Sequence, residues 1–211
     1  MLKAEAVVNI NGPVGRLETI YLPAQGEERG VAVINHPNPT QGGTNTNKVI
    51  QTAAKALVQL GFHCYLPNLR GVGNSEGQHE HGRGEVDDCI AVIDYAKVQH
   101  PAAKQFVLGG FSFGGYVSLF AAQERHPDLL VLIGPAVRHY KTTPEPDVPD
   151  ANKTLLIHGE IDEVVPLDNA MRCAEGQGLP VIVVPGASHF FHGKLIELKN
   201  TILRFAPSLL G

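Results

Sequence analysis

The chain has 211 residues, of which 43% are hydrophobic and 18% charged, and its formal net charge is -4. This length suffices for one substantial core but is short for two, and the balance is that of a globular protein rather than a disordered one. With 17 basic against 21 acidic residues and no long basic run, we expect neither a nucleic acid nor an anionic membrane as partner.

The amino terminus and the cysteines favour a cytoplasmic protein. Residues 1–5 contain an acid and no apolar stretch with a cleavage site, unlike a signal peptide. No apolar run approaches the roughly 20 residues that span a bilayer. Cys64, Cys89 and Cys173 fit neither a disulfide framework nor zinc spacing, which agrees with a reducing compartment.

The first half of the chain alternates between β-prone and helical segments. Two β-prone segments around Asn11-Gly12-Pro13 predict a hairpin, and a β-branched run after Arg29 predicts a strand buried on both faces. Apolar residues at helical spacing predict the helices, the first of which Gly61 ends. The predicted strands are 4–10, 15–22, 30–36 and 62–67, the helices 49–58 and 85–98, and the intervening loops 37–45 and 68–82.

The second half repeats this alternation. Its predicted strands are 105–110, 129–133, 154–158 and 180–184, and its helices 114–123, 166–174 and 194–205. Strands that alternate with helices predict an α/β fold with a mostly parallel sheet and helices on both faces. The opening hairpin supplies an antiparallel edge. Since no internal repeat or linker interrupts the pattern, we expect one domain over residues 1–211.

A G-x-S-x-G motif lies between the strand 105–110 and the helix 114–123. It reads Gly110-Phe111-Ser112-Phe113-Gly114. A sharp turn between strand and helix lifts the serine hydroxyl above the sheet, and the glycines allow backbones to approach closely. The strand before it and the helix after it are the context that this motif requires. We interpret Ser112 as a nucleophile.

A nucleophilic serine needs a base, and the base needs an orienting acid. In the fold that carries this motif the order is serine, acid, histidine, with the partners on loops after later strands. The loop after 154–158 offers Asp162, with Glu160, Glu163 and Asp168 as alternative acids. The loop after 180–184 offers His189 as the base. His192 follows it, and His158 ends a strand, where a packed, hydrogen-bonded histidine is expected.

These segments resemble a family of small bacterial α/β-hydrolases without a lid, related to dienelactone hydrolases. The matching segments are HPNP at 36–39, QGG at 41–43, NK at 47–48, LRGVGNSEG at 69–77, the serine motif, HGEIDEVVP at 158–166 and GASHFF at 186–191. The resemblance implies the α/β-hydrolase fold and a triad of Ser112, Asp162 and His189. Dienelactone hydrolases differ because their nucleophile is a cysteine, so their substrate class does not transfer.

Acyl transfer also requires donors aimed at the developing oxyanion. In this fold one donor is the backbone N–H after the nucleophile, here that of Phe113, and the other comes from the loop after the third strand. Pro37 and Pro39 have no N–H, which leaves Asn38, or His36 itself, as the second donor. We favour Asn38 because it lies further over the end of the strand.

No cofactor or metal is expected. The glycines at 71–77 follow the spacing G-x-G-x-x-x-G and are explained by turns rather than by a dinucleotide site. His79-Glu80-His81 lacks the further ligands of a zinc site. Arg70 is expected to brace this glycine-rich loop.

The interval from Ile133 to Thr154 is too short for a separate helical cap, so the pocket should be shallow and open. Its expected apolar walls are Tyr140, Phe190 and Phe191. These features predict an enzyme that hydrolyses a small carboxylic ester or a related small-molecule acyl compound. A thioesterase, a peptidase or a non-catalytic binding module on the same scaffold are alternatives. The chain could be a monomer or a homodimer.

Overall fold

The computed structural model describes residues 6–140 and 145–211. Ala4 and Glu5 of the first predicted strand, and residues 141–144 of the interval between Ile133 and Thr154, lie outside the described residues. The strands are β1 (Ala6–Gly12), β2 (Gly15–Leu22), β3 (Gly30–Asn35), β4 (Phe62–Pro67), β5 (Gln105–Phe111), β6 (Leu129–Ile133), β7 (Thr154–Gly159) and β8 (Val181–Val184). The helices are α1 (Lys48–Gln59), α2 (Arg83–Gln99), α3 (Phe113–Arg125), α4 (Leu167–Glu175) and α5 (Leu195–Leu210), with short 3-10 turns at Pro39–Gln41 and Ala151–Lys153.

The eight strands form one sheet in the order β1-β2-β4-β3-β5-β6-β7-β8. The strands β1 and β2 form the expected antiparallel hairpin, and β2 also runs antiparallel to β4. All other neighbours are parallel. The predicted α/β-hydrolase architecture, with an antiparallel edge on a mostly parallel sheet, is therefore confirmed.

Helices cover both faces of the sheet because its central strands are apolar on both sides. Every residue of β3, β4, β6 and β7 is buried. The helices α1 and α5 pack in one core cluster with Ile34, Val107 and Ile157, and α2, α3 and α4 contribute to the other, with Val33 and Leu156. Adjacent residues of a strand thus enter opposite cores, as the pleat requires.

The helix α5 extends five residues beyond its predicted end at Phe205. Pro207, which lies beyond that end, lacks an N–H and disfavours a helix interior. In the structure the helix continues through Pro207, since Leu209 and Leu210 pack against the core and the Gln105 side chain donates to the carbonyl of Leu210 at 3.0 Å. Tertiary contacts outweigh the local preference.

Two further features match the expectations. Cys64 and Cys89 are buried and all three cysteines are free. Arg70 is 3% exposed and binds Asp88 with two guanidinium nitrogens, at 3.0 and 2.8 Å, and Glu80 with the third. It braces the glycine-rich loop against α2, as predicted. Within the described ranges, no helix has the length and apolarity that crossing a membrane demands.

Candidate active site

Ser112 lies in a tight turn between β5 and α3. Its backbone φ is 54° and its ψ is −118°, outside the regions that serine ordinarily occupies. A Cβ on Gly110 would lie 2.2 Å from the carbonyl oxygen of Gly114, and a Cβ on Gly114 would lie 2.2 Å from that of Asn35. Both glycines of the motif are therefore required by backbone packing under the turn.

Asp162 and His189 form a buried hydrogen-bonded pair. The distance from Asp162 Oδ2 to His189 Nδ1 is 2.7 Å, and the two residues are 8% and 2% exposed. Asp162 Oδ1 accepts the backbone N–H groups of Val164 and Val165 at 2.9 and 2.8 Å. Because Nδ1 is held by the carboxylate, the Nε2 atom of His189 remains available to exchange a proton.

The surroundings keep Asp162 ionised. Burial alone would raise the pKa of its carboxyl, but the hydrogen bond from His189 and those from Val165 and Val164 outweigh it and leave the pKa below its usual value. The carboxylate can therefore stabilise a positive charge on the imidazole.

The alternative residues are engaged elsewhere. Glu160 accepts the backbone N–H of Gly186 at 2.8 Å, and Glu163 accepts that of His189 at 3.2 Å. Asp168 pairs with Arg172 on the surface of α4 at 2.6 Å. The ring of His192 stacks on Phe190, 6.0 Å between centroids. The structure thus places Asp162, and none of these acids, at Nδ1 of His189.

His158 has a closer relation to the pair than its sequence position indicated. It is fully buried, its Nε2 lies 2.9 Å from the carbonyl oxygen of Val165, and the same atom lies 3.4 Å from Asp162 Oδ2. Burial lowers its pKa, as does the nearby His189, which favours a neutral imidazole. His158 is therefore a neutral, buried ring that packs against the carboxylate of Asp162. The sequence contained one signal of this contact, since His158 lies near the end of a predicted strand and four residues before Asp162.

Gly134 is a second residue that the sequence did not indicate. It follows β6 with a φ of 43°, and a Cβ there would lie 3.4 Å from Asp162 Oδ2 and 3.7 Å from His189 Nδ1. A side chain at this position would be strained by the positive φ, and its Cβ would be in van der Waals contact with the pair. Nothing in the local pattern distinguishes this glycine from the other 22.

The loop after β3 presents the backbone N–H of Asn38. His36 is buried, its Nε2 accepts the N–H of Leu69 at 3.1 Å, and its Nδ1 lies 2.7 Å from the carbonyl oxygen of Pro37. Nδ1 therefore carries the proton and holds that carbonyl. In the trans peptide between Pro37 and Asn38, the N–H must then point the opposite way.

Neither of the two expected oxyanion donors makes a hydrogen bond with a described residue. Within residues 6–140 and 145–211, the N–H groups of Asn38 and Phe113 meet no acceptor. Phe113 is the first residue of α3, where a helix leaves its N–H unpaired. Ser112 Oγ likewise makes no hydrogen bond with a described residue, so its contact with His189 belongs to the proposal below.

Of the three expected pocket walls, two lie near the site. The ring of Phe190 is 38% exposed and contacts that of His189 edge-on at 5.1 Å. Tyr140 is half-buried, its hydroxyl lies 3.5 Å from Asn38 Nδ2, and its ring lies 6.2 Å from that of Phe113. Phe191, in contrast, is fully buried in the core cluster of α1 and α5. It offers a substrate no surface, and its expected role as a wall is corrected.

One group of described residues has the composition of a metal site. Potential ligand atoms of Glu28, His63 and His100 lie within 4.8 Å of one another, near the amino end of β4. The two imidazoles are stacked, 3.9 Å apart with ring planes 22° apart, so their in-plane lone pairs run side by side rather than converging. Tyr21 and Tyr65 hydroxyls bind their other nitrogens. We assign no metal to this group.

The similarity of this chain to known proteins shows which family it belongs to. The model of a family described as serine aminopeptidase, S33, matches residues 27–151. A solved structure from Xanthomonas campestris, described as an α/β serine hydrolase without a lid, is 35% identical and superimposes with a TM-score of 0.89, over 99% of this chain and 95% of that one. The chain belongs to the lidless α/β-hydrolases.

Two further proteins are similar over nearly the whole chain. A structure described as an α/β serine hydrolase homologue, from Coxiella burnetii, is 37% identical over 97% of both chains, with a TM-score of 0.86. An uncharacterized protein of Rickettsia prowazekii (strain Madrid E) is 29% identical over 213 residues, covering 92% of this chain and 86% of that protein. The matches extend over nearly the whole α/β-hydrolase chain and support a general hydrolase activity.

Proposed function

We propose that this α/β-hydrolase cleaves small carboxylic esters through a covalent acyl-enzyme, with Ser112 as nucleophile, His189 as general base and acid, and Asp162 as the group that orients His189. The observation that carries the proposal is the buried bond of 2.7 Å between Asp162 and His189, on loops at the same sheet edge as the strained turn of Ser112. Each loop follows the carboxyl end of its strand.

In the first step His189 Nε2 takes the proton of Ser112 Oγ as this oxygen attacks the ester carbonyl. The tetrahedral intermediate collapses when the same nitrogen protonates the leaving alcohol. Water then attacks the acyl-enzyme, again with His189 as base, and releases the acid. Asp162 stabilises the imidazolium in both halves of the reaction without itself taking a proton.

The oxyanion of each intermediate is stabilised by the backbone N–H groups of Asn38 and Phe113. Both are unpaired within the described ranges, and His36 orients the first through the carbonyl of Pro37. Groups that are already in place do not reorganise during the reaction, and one such donor contributes about 10²–10³ to the rate. The proton transfer contact between Ser112 and His189 is one that tightens when substrate binds.

Hydrolysis of an amide bond is the second candidate, because the family model that matches residues 27–151 is described as that of a serine aminopeptidase. Thioesters would use the same groups. Esters are favoured here since their leaving alcohol makes a smaller demand on acid catalysis than an amine does.

Labelling with a fluorophosphonate probe tests the nucleophile. The wild-type protein should be labelled at one serine, and Ser112→Ala should remove the label because the probe forms its bond with Oγ. Ser118→Ala is a matched control on α3, the helix that follows Ser112, although its buried hydroxyl donates to the carbonyls of Gly109 and Gly114 and some stability will be lost.

Persistent labelling of the folded Ser112→Ala protein would exclude Ser112 as the nucleophile. No labelling of the wild type would favour the non-catalytic binding module. A parallel screen of matched ester, thioester, lactone and amide substrates then identifies the type of bond that the enzyme hydrolyses. We expect the highest kcat/KM for esters. A higher value for amino-terminal amides would establish the peptidase instead.

A further inference from the structure

A cavity of about 770 Å³ lies beside the candidate site. It is formed between the loop that precedes α2, the first turn of α2, and the helix α3. The walls that matter here are His79, His81, Arg83, Val86, Tyr116 and Phe120. The volume is in the range of pockets that hold small molecules.

The cavity approaches the serine turn through Tyr116, which forms part of its wall. Tyr116 is one helical turn after Ser112 and its backbone N–H donates to the Ser112 carbonyl at 3.2 Å. Side chains of a helix lean toward its amino terminus, so the Tyr116 ring leans toward the turn. The ring of Phe113 lies 5.4 Å from that of His79 and 6.3 Å from that of Tyr116. The buried ring of Phe113, the residue with the expected oxyanion donor, therefore packs near two residues of the cavity wall.

The position of His189 decides which part of a substrate the cavity can take. A leaving group must lie at His189, which follows β8, whereas the cavity lies beyond β5 on the side of β4. An ester bound with its leaving group at His189 would extend its acyl part in the opposite direction, toward the cavity.

The inner walls of the cavity are aromatic and aliphatic. The rings of Tyr116 and Phe120 lie 4.8 Å apart and are tilted by 50°, and Val86 is half-buried opposite them. Aromatic rings prefer offset or edge-on contacts with another ring, at centroid distances of about 4.5–7 Å. A planar or aromatic acyl group suits this surface.

Among the described residues that line the cavity, Arg83 carries the one carboxylate or guanidinium charge that has no partner. The carboxylate of Glu80 is bound by Arg70, and that of Glu85 accepts the N–H groups of Glu80 and Gly82 and lies 2.6 Å from His79 Nδ1. These acids serve the loop itself. The exposed guanidinium of Arg83, in contrast, makes no ion pair or hydrogen bond with any residue in the described ranges.

Arg83 is also the first residue of α2. A cation there is opposed by the helix macrodipole, which favours negative charge at the amino terminus. Arg83 therefore does not stabilise the helix through its charge. Its planar guanidinium lines the cavity and is suited to bind a carboxylate.

We propose that this cavity is the acyl subsite and that the substrates are esters of an aromatic or similarly planar acid that carries a second, anionic group, bound by Arg83. The inference rests on the function proposed above and narrows its substrate class. Because the guanidinium is exposed to solvent, its contribution to binding is that of a screened ion pair rather than a buried one.

The test uses two 4-nitrophenyl esters, of 4-carboxybenzoic acid and of 4-carbamoylbenzoic acid, which are similar in shape and differ in charge. The wild-type protein should hydrolyse the carboxylate ester with a kcat/KM about five- to tenfold higher. Arg83→Gln should abolish this preference by lowering only the value for the carboxylate ester. The preference should also shrink as salt is raised.

Arg204→Gln is the matched control, since Arg204 is an exposed arginine on α5. It should leave the preference intact. A loss of preference in Arg204→Gln equal to that in Arg83→Gln would overturn the proposal, because it would show an effect of net charge alone.

A second variant tests the subsite without removing a charge. Val86→Phe reduces the space beside Tyr116, and should lower kcat/KM for both benzoate esters by a larger factor than kcat/KM for 4-nitrophenyl acetate, whose acyl group is too small to fill the cavity. Equal hydrolysis of the carboxylate and carbamoyl esters by a wild-type protein that cleaves the acetate through Ser112 would refute the subsite alone. No hydrolysis of the acetate and no labelling of Ser112 would refute the proposed function.

Discussion

Ser112 has a backbone conformation that costs a non-glycine residue of order 1–3 kcal/mol. Its surroundings compensate for this cost. Its N–H donates to the carbonyl of Ile133 at 3.0 Å, and its own carbonyl accepts the N–H groups of Tyr116 and Ala136 at 3.2 and 3.0 Å. Three bonds to β6, α3 and the loop after β6 thus hold one residue in place.

Asp162→Asn tests the acid. The amide can still contact His189, but it favours the wrong tautomer and cannot stabilise the imidazolium, so kcat should fall by about 10³–10⁴-fold. Asp168→Asn should leave kcat unchanged, because Asp168 pairs only with Arg172 on the surface. Steady-state kinetics on a short-chain ester measures both. A loss in Asp168→Asn that matches the loss in Asp162→Asn would contradict the assignment.

His36 should make the stability of the fold depend on pH. Burial lowers its pKa to about 4 from an ordinary value of 6.5. Below pH 6.5 His36 therefore binds a proton in the unfolded chain but not in the folded chain, and the free energy of unfolding falls as the pH falls toward 4. Between pH 7.5 and pH 5 this residue alone removes about 2 kcal/mol of the free energy of unfolding.

His36→Asn removes this titration, so urea unfolding at the two pH values should show a smaller loss than in the wild type, by about 2 kcal/mol. His126→Asn is the control, since His126 is exposed and sits in a left-handed conformation that asparagine tolerates. Its loss should equal that of the wild type. If His36→Asn and wild type lose the same stability, His36 is not buried and neutral as described.

At the scale of elements, the site depends on parallel strands that end at one edge of the sheet. The turn of Ser112 follows β5, Gly134 follows β6, Asp162 follows β7 and His189 follows β8. Consecutive strands in this half of the sheet are also neighbours in space. The loops that they carry are therefore adjacent, although the residues are up to 77 positions apart in the chain.

The helix α5 closes the face of the sheet beneath this edge and should contribute strongly to stability. Ile202→Ala should cost about 2–5 kcal/mol because Ile202 is fully buried among α1 and the sheet. Ile196→Ala, on the same helix but 74% exposed, should change the free energy of unfolding by less than about 0.5 kcal/mol. Chemical denaturation compares them; equal effects would show that α5 is not packed as described.

At the scale of the whole molecule, the absence of a cap governs access to the site. The interval between Ile133 and Thr154 contains, in its described part, only the 3-10 turn at Ala151–Lys153, and the relative from Xanthomonas campestris is described as lacking a lid. In the part of this interval that the structure describes, no helix or strand covers the edge of the sheet that carries Ser112.

An open site should prefer short acyl chains. We expect kcat/KM to be higher for 4-nitrophenyl acetate and butyrate than for the palmitate, because a long chain gains little buried area on an open surface. Dispersed substrates must be compared at the same detergent concentration. Equal or greater activity on the palmitate would be inconsistent with an open site.

Much of this arrangement could be predicted from the sequence because the signals are local. Apolar strands alternate with amphipathic helices, and the glycines beside Ser112 mark the turn. The chain order of Ser112, Asp162 and His189 limited the candidates to a few residues on two loops. It could not separate Asp162 from Glu160 or Glu163, since all three lie within four residues and only their contacts differ.

The sequence by itself determined the fold class and the serine turn, because hydrophobic period and glycine placement act over short distances. Only the tertiary structure decided the features that depend on distant segments. It placed Phe191 in the core rather than in a pocket, brought His158 and Gly134 against the Asp162–His189 pair, and turned the Pro37 carbonyl toward the His36 ring, so that the Asn38 N–H points away from that ring. Each of these features depends on how the backbone of a loop is oriented. That orientation is set by packing against other strands, which lie far away in the sequence.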